Sequence, residues 1–165
     1  MLCVYWGGGL MAEPNPEELF NLGVKSIEAK DYIQAKKYFE KACDLNNGSG
    51  CGALGFLYGM GKGVEKNLIK AAYFYAKACD LNNGGGCGNL GVLYQKGESV
   101  EKDLIKAAYF YSKACELKDG LGCGALAMLY INGQGVEKNL TKADQYISKA
   151  CKLGDQEACE ALKEK

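Results

Sequence analysis

KACDLNNGSGC, residues 41–51, returns nearly unchanged at 77–87 and, with its Lys-Ala-Cys, leucine and second cysteine kept, at 113–123 and 149–159. Each copy holds two cysteines eight positions apart, and the first of each pair, Cys43, Cys79, Cys115 and Cys151, steps along the chain by 36. Self-similarity at a fixed period of roughly 20 to 50 residues marks a solenoid, in which each unit buries its apolar face against the next.

Superimposing the cysteines aligns the rest of the chain. Leu54-Gly55, Leu90-Gly91 and Leu126-Ala127 coincide, as do Tyr58, Tyr94 and Tyr130 and the turns GKGVEK (61–66), GESVEK (97–102) and GQGVEK (133–138). After each turn comes an apolar-periodic segment, LIKAAYFY from Leu68, with copies from Leu104 and Leu140. Leu54, Leu57 and Tyr58 stand at helical spacing, and so do Ala71, Phe74, Tyr75 and Ala78. The unit is therefore a helix, a glycine turn and a second helix, with Asn46-Asn47-Gly48 supplying candidates for a left-handed cap at its end.

The expected fold is an all-α superhelix of helical hairpins, a single repeat domain over 13–165. Its units run approximately 15–48, 49–84, 85–120 and 121–156, with a polar half-unit at 157–165 as the terminal cap. In the first unit the step from Gly23 to Ala35 is 12 residues against 16 from Gly55 to Ala71, so its turn lacks four. Pro16 with Glu17 and Glu18 is a sound helix start. Residues 1–12, MLCVYWGGGLMA, read as a leader remnant or a flexible N-terminal arm, and no window is long and apolar enough to span a bilayer.

Nine cysteines point to an oxidising compartment, hence a secreted or periplasmic protein. A structural zinc site would need four Cys or His ligands, whereas the chain has no histidine and each local group offers two sulfurs. Two cysteines eight apart in one straight helix would lie about 12 Å apart along its axis, out of bonding range. At the corner where one helix ends and the next begins they can meet. The expected bridges are Cys43–Cys51, Cys79–Cys87, Cys115–Cys123 and Cys151–Cys159, leaving Cys3 as a thiol that could join two chains.

Units of 36 carrying Leu-Gly, Tyr-x-x-Gly-x-Gly-Val, Lys-Ala-Ala-x-x-Tyr and cysteines eight apart resemble the Helicobacter cysteine-rich proteins, built of disulfide-bridged Sel-like repeats related to tetratricopeptide repeats. The resemblance covers residues 13–165. It implies a right-handed α-solenoid with cross-links inside each helical hairpin, exported from the cytosol. It also implies two functions, a weak beta-lactamase that binds penicillin-like compounds, and an adaptor for peptides or proteins.

The residues weigh against the first. Ser-x-x-Lys occurs as Ser99-Val100-Glu101-Lys102, but Ser99 stands where Gly63 and Gly135 stand in the other units, and no Ser-Asp-Asn or Lys-Thr-Gly accompanies it. No catalytic residue, metal or cofactor is expected. Net charge is zero, with 20 basic and 20 acidic residues spread along the chain, which argues against a nucleic-acid-binding surface.

Recognition of a peptide or protein is the better reading. The side of the first helices opposite the core carries Phe56 and Met60, then Asn89, Val92, Gln95 and Lys96, then Met128 and Asn132. The resemblance puts first helices on the inner curve, where these residues would form a groove. Phe56, Val92 and Met128 occupy one repeat position yet differ in identity. Tyr73 and Tyr109, partly exposed on second helices, are candidates for self-association. A repeat scaffold without a natural ligand is the remaining alternative.

Overall fold

The structure is a computed structural model that describes residues 3–6, 9–12 and 14–164, the first two stretches as backbone only. Nine α-helices follow one another among the described residues. They are α1 (Pro16–Glu28), α2 (Tyr32–Asp44), α3 (Gly48–Met60), α4 (Leu68–Asp80), α5 (Gly84–Lys96), α6 (Leu104–Glu116), α7 (Gly120–Asn132), α8 (Leu140–Lys152) and α9 (Gln156–Lys163). Each packs chiefly on the helices before and after it, the contact pattern of a solenoid. The helices are preceded by a short stretch outside the repeats. Its backbone pairs as an antiparallel ribbon of β1 (Cys3–Trp6) and β2 (Gly9–Ala12), with Cys3 opposite Ala12. The side chains of this stretch, the Cys3 thiol among them, lie outside the described part of the structure, and the ribbon does not decide between a leader remnant and an arm.

Helix ends follow from local chemistry. Asn67, Asp103 and Asn139 cap the second helices by accepting the backbone N–H of Lys70, Lys106 and Lys142 at 2.9–3.0 Å. The first helices of the three long units end at Gly61, Gly97 and Gly133 with φ of 64–70°, a left-handed position that glycine adopts without penalty. The α1–α2 connection runs directly from Ala29 to the cap at Asp31, so the short first turn holds three residues where the α3–α4 turn holds 61–67.

The corner that carries the repeated motif divides its two asparagines between two tasks. Asn46 and Asn82 take the left-handed conformation, φ 62° and 61°, which ends the second helix. Asn47 and Asn83 then cap the next first helix, accepting the N–H of Gly50 and Gly86 at 2.7 Å. Gly50, Gly86 and Gly122 are buried against Ala42, Ala78 and Ala114; a Cβ at Gly86 would stand 2.6 Å from that of Ala78. This close approach brings the cysteine Cα atoms to 4.6 Å at all four corners, where Cys43–Cys51, Cys79–Cys87, Cys115–Cys123 and Cys151–Cys159 are bonded. With unit boundaries drawn at the corners, each bridge joins the second helix of one hairpin to the first helix of the next. That corrects the expectation of cross-links inside each hairpin, because the cysteines flank the corner and not the glycine turn.

Between the two helices of a unit the core is aromatic. Tyr58, Tyr94 and Tyr130 stack on Phe74, Phe110 and Tyr146 with ring centroids 5.6–5.7 Å apart, and the ammonium groups of Lys70, Lys106 and Lys142 lie 5.2–5.5 Å from the tyrosine ring centroids. Tyr75 and Tyr111 are buried against Gly55 and Gly91. Burial pushes both phenols up to about 12.

Candidate interaction surface

First helices of successive units, α1 with α3, α3 with α5 and α5 with α7, lie against one another, and second helices do so far less. In a curved stack the elements that approach most closely occupy the inner side. The helices α3, α5 and α7 carry one charged residue between them, Lys96. Second helices carry the charges instead, for example Lys36, Lys37, Glu40, Lys41 and Asp44 on α2.

The residues singled out from the sequence fall into three groups. Phe56, Met60 and Met128 are 51%, 57% and 53% exposed, so these large apolar side chains have no core role. Asn89, Lys96 and Asn132 are exposed polar positions on the same helices. Val92 and Gln95 are half-buried. Val92 packs against the Tyr111, Leu126 and Leu129 cluster. Gln95 turns into its own unit, where its Oε1 accepts a hydrogen bond from the Tyr111 hydroxyl at 2.6 Å.

The structure brings Asn89 and Val92 together in one recess between α5 and α7, with a volume of about 180 Å³. Asp119, Leu121 and Ala125 complete it, and Gly85 opens its rim. None of Phe56, Met60, Lys96, Met128 and Asn132 reaches this recess. At the equivalent place between α3 and α5, one repeat earlier, stand Ser49, Phe56 and Asn83, and the Asn83 amide donates to the Ser49 hydroxyl across the junction at 3.5 Å. Glycine in place of Ser49, valine in place of Phe56 and aspartate in place of Asn83 leave the second junction open.

Asp119 departs from the other corner caps. Asn47, Asn83 and Asp155 each accept a capping N–H, at 2.7, 2.7 and 3.0 Å, whereas the Asp119 side chain closes no such bond. Its Oδ2 instead lies over α5, 2.8 Å from where a Cβ of Gly88 would be, so a larger residue there would displace the carboxylate. Burial raises its pKa from the ordinary 3.8, and the nearby N–H groups of Leu121 and Gly122 draw it partly back. No lysine pairs with it among the described residues. Asp119 and the 75%-exposed Leu121 were missed from sequence, although aligning 83 with 119 and 85 with 121 shows both as departures from the repeat.

Elsewhere, Ile69, Tyr73, Ile105 and Tyr109 form an exposed apolar row on α4 and α6, each 61–73% exposed. Ser99 is exposed in its turn with φ 62°, a left-handed angle where its counterparts Gly63 and Gly135 have φ 67° and 70°.

Comparison with known proteins sets this geometry in a family. The Sel1 repeat model matches residues 19–47, 49–83, 86–119 and 121–155. HcpC of Helicobacter pylori is 63% identical over 65 residues, 39% of this chain and 21% of that protein. Beta-lactamase HcpA of the same species is 54% identical over 59 residues, 36% of this chain and 24% of its own length. The chain thus matches less than a quarter of the length of either relative. The solved structure of Helicobacter pylori cysteine-rich protein B superimposes with a TM-score of 0.65 at 41% identity, covering 80% of this chain and 96% of that one.

No helix among the described residues is long and apolar enough to cross a membrane. Four closed disulfides belong to an oxidising compartment, so the protein is secreted or periplasmic. Repeat, bridge and fold agree, and the chain belongs to the Sel1 repeat family, in the disulfide-bridged form found in Helicobacter.

Proposed function

We propose that this Sel1 repeat module holds a peptide or protein segment along the surface of its first helices, without a cofactor or a chemical step. The observation that carries this reading is the row of large apolar side chains, Phe56, Met128 and Leu121, standing 51–75% exposed on helices almost free of charge. Such exposure is of no use to the core, and aromatic and methionine side chains on a rigid scaffold are typical anchors for a partner. Asn89 and Asn132 add amides able to donate to and accept from extended backbone. Selection of a random nonapeptide library on the oxidised chain tests it. Enriched peptides should lose at least about tenfold in affinity for the Phe56→Asp, Met128→Asp double variant, because a charge in an apolar contact is desolvated without a partner. Affinities unmoved by both substitutions would refute the assignment of the surface.

A beta-lactam reading comes only with the names that relatives carry, beta-lactamase for HcpA and putative beta-lactamase for HcpC. Here the one Ser-x-x-Lys serine, Ser99, sits exposed on a turn in the left-handed position that Gly63 and Gly135 fill in the other units, the place of a turn residue and not of an activated nucleophile. Replacing it by alanine should leave any nitrocefin turnover unchanged.

A further inference from the structure

We propose that the recess between α5 and α7 is a subsite for one basic side chain, lysine or arginine, of the bound peptide, with the Asp119 carboxylate as its anionic wall. The proposal rests on the peptide-binding reading and adds the chemistry of a single position. At about 180 Å³ the recess is smaller than the ~300 Å³ lower limit of pockets that enclose drug-sized ligands, so it suits one side chain. Val92, Leu121 and Ala125 offer an apolar wall for an aliphatic stem, and long basic side chains bury their stems while the head seeks a charge.

The charge that the head would find is Asp119. Its carboxylate is half-buried, closes no capping bond and has no lysine bonded to it among the described residues. Lys118, its neighbour in sequence, lines the other side of the corner and not the recess. Lys96, the lone charge on the three central first helices, is seven residues beyond Asn89, about 10 Å along the axis. A cation entering the recess therefore meets an unneutralised, partly desolvated carboxylate, where a charge-assisted hydrogen bond is strong. Asn89 on the rim is placed to hold the peptide backbone beside it. One repeat earlier, neutral Asn83 takes the place of Asp119 and is engaged by Ser49, so the preference belongs to a single junction and would set the register of the peptide.

The test uses the full oxidised chain and its Asp119→Asn variant, with the random nonapeptide library as probe. Asn83 shows that asparagine is accommodated at this cap, and circular dichroism with intact mass checks that the variant keeps its fold and bridges. Peptides enriched on the native chain should share lysine or arginine at one position; on the variant that preference should vanish while the apolar positions persist. Resynthesised with norleucine at that position, an enriched peptide should bind the native chain about tenfold more weakly and the variant equally well. Val92→Phe, which imports the side chain of Phe56, should close the recess with the same result. Binders indifferent to charge at every position, or a basic preference untouched by Asp119→Asn, would overturn the subsite alone. A library that yields no binder overturns the broader reading with it.

Discussion

Gly91 lies so close to the ring of Tyr111 that an added Cβ would stand 2.7 Å from it, and Gly55 meets Tyr75 at 2.8 Å in the same way. In the fourth unit the aromatic position holds Ile147, and its small partner has become Ala127. The exchange shows that glycine here answers to a neighbouring ring and not to a backbone need. Gly91→Ala, which would help an isolated helix by roughly 1 kcal/mol, should instead destabilise the protein by about 1–3 kcal/mol through overpacking. Adding Tyr111→Ile should recover part of that loss, and denaturant unfolding of the two single variants and the pair measures the coupling. Asp119 gives a pH signature. Its folded pKa lies above the ordinary 3.8, so its contribution is fully present below that value and is lost as pH rises through the folded pKa. Asp119→Asn should therefore raise the melting midpoint at pH 7 more than at pH 3. An equal shift at both would show that the carboxylate is not desolvated.

Each element is short, 13 residues for the eight main helices, and marginal by itself. The first helices carry glycine at their starts, Gly48, Gly84 and Gly120, and again at Gly52, Gly88 and Gly124, which weakens them further. The disulfide at each corner offsets this. Closing a loop of about nine residues stabilises by roughly 2–3 kcal/mol in chain-entropy terms. The Cys79→Ala, Cys87→Ala double variant should lose about that much. Hydrogen exchange should then rise first at the α4–α5 corner, because that corner alone has lost its staple. Uniform acceleration along the chain would mean that the corners are not separate units.

Over the whole molecule the bridges add up. Four corners at roughly 2–3 kcal/mol each amount to about 8–12 kcal/mol, comparable with the ~5–15 kcal/mol net stability of an ordinary domain. Full reduction should raise the mass of the repeat region by about 8 Da, two hydrogens per bridge, and abolish the cooperative thermal transition. A reduced chain that still melts cooperatively at the oxidised temperature would show that helix packing alone suffices.

The period of 36, the helical hairpin, the short first turn and the disulfide-stapled solenoid were legible in the chain, because repetition multiplies a weak local pattern into an unambiguous one. Cysteine spacing was readable for the same reason, since only a corner lets sulfurs eight residues apart meet. Which side of a first helix remains open is decided by what the next unit lays over it. Gly52, Gly88 and Gly124, on the face that the sequence leaves free, lie beneath the caps Asn83, Asp119 and Asp155 of the following unit. Gln95, polar and apparently outward in the pattern, is turned inward by a hydroxyl from a helix sixteen residues away. Local sequence thus determined the repeating element and its staple, both fixed by interactions within a few dozen residues. The recess at Asp119 needed the tertiary structure, because it arises from a mismatch between two successive units that neither contains alone.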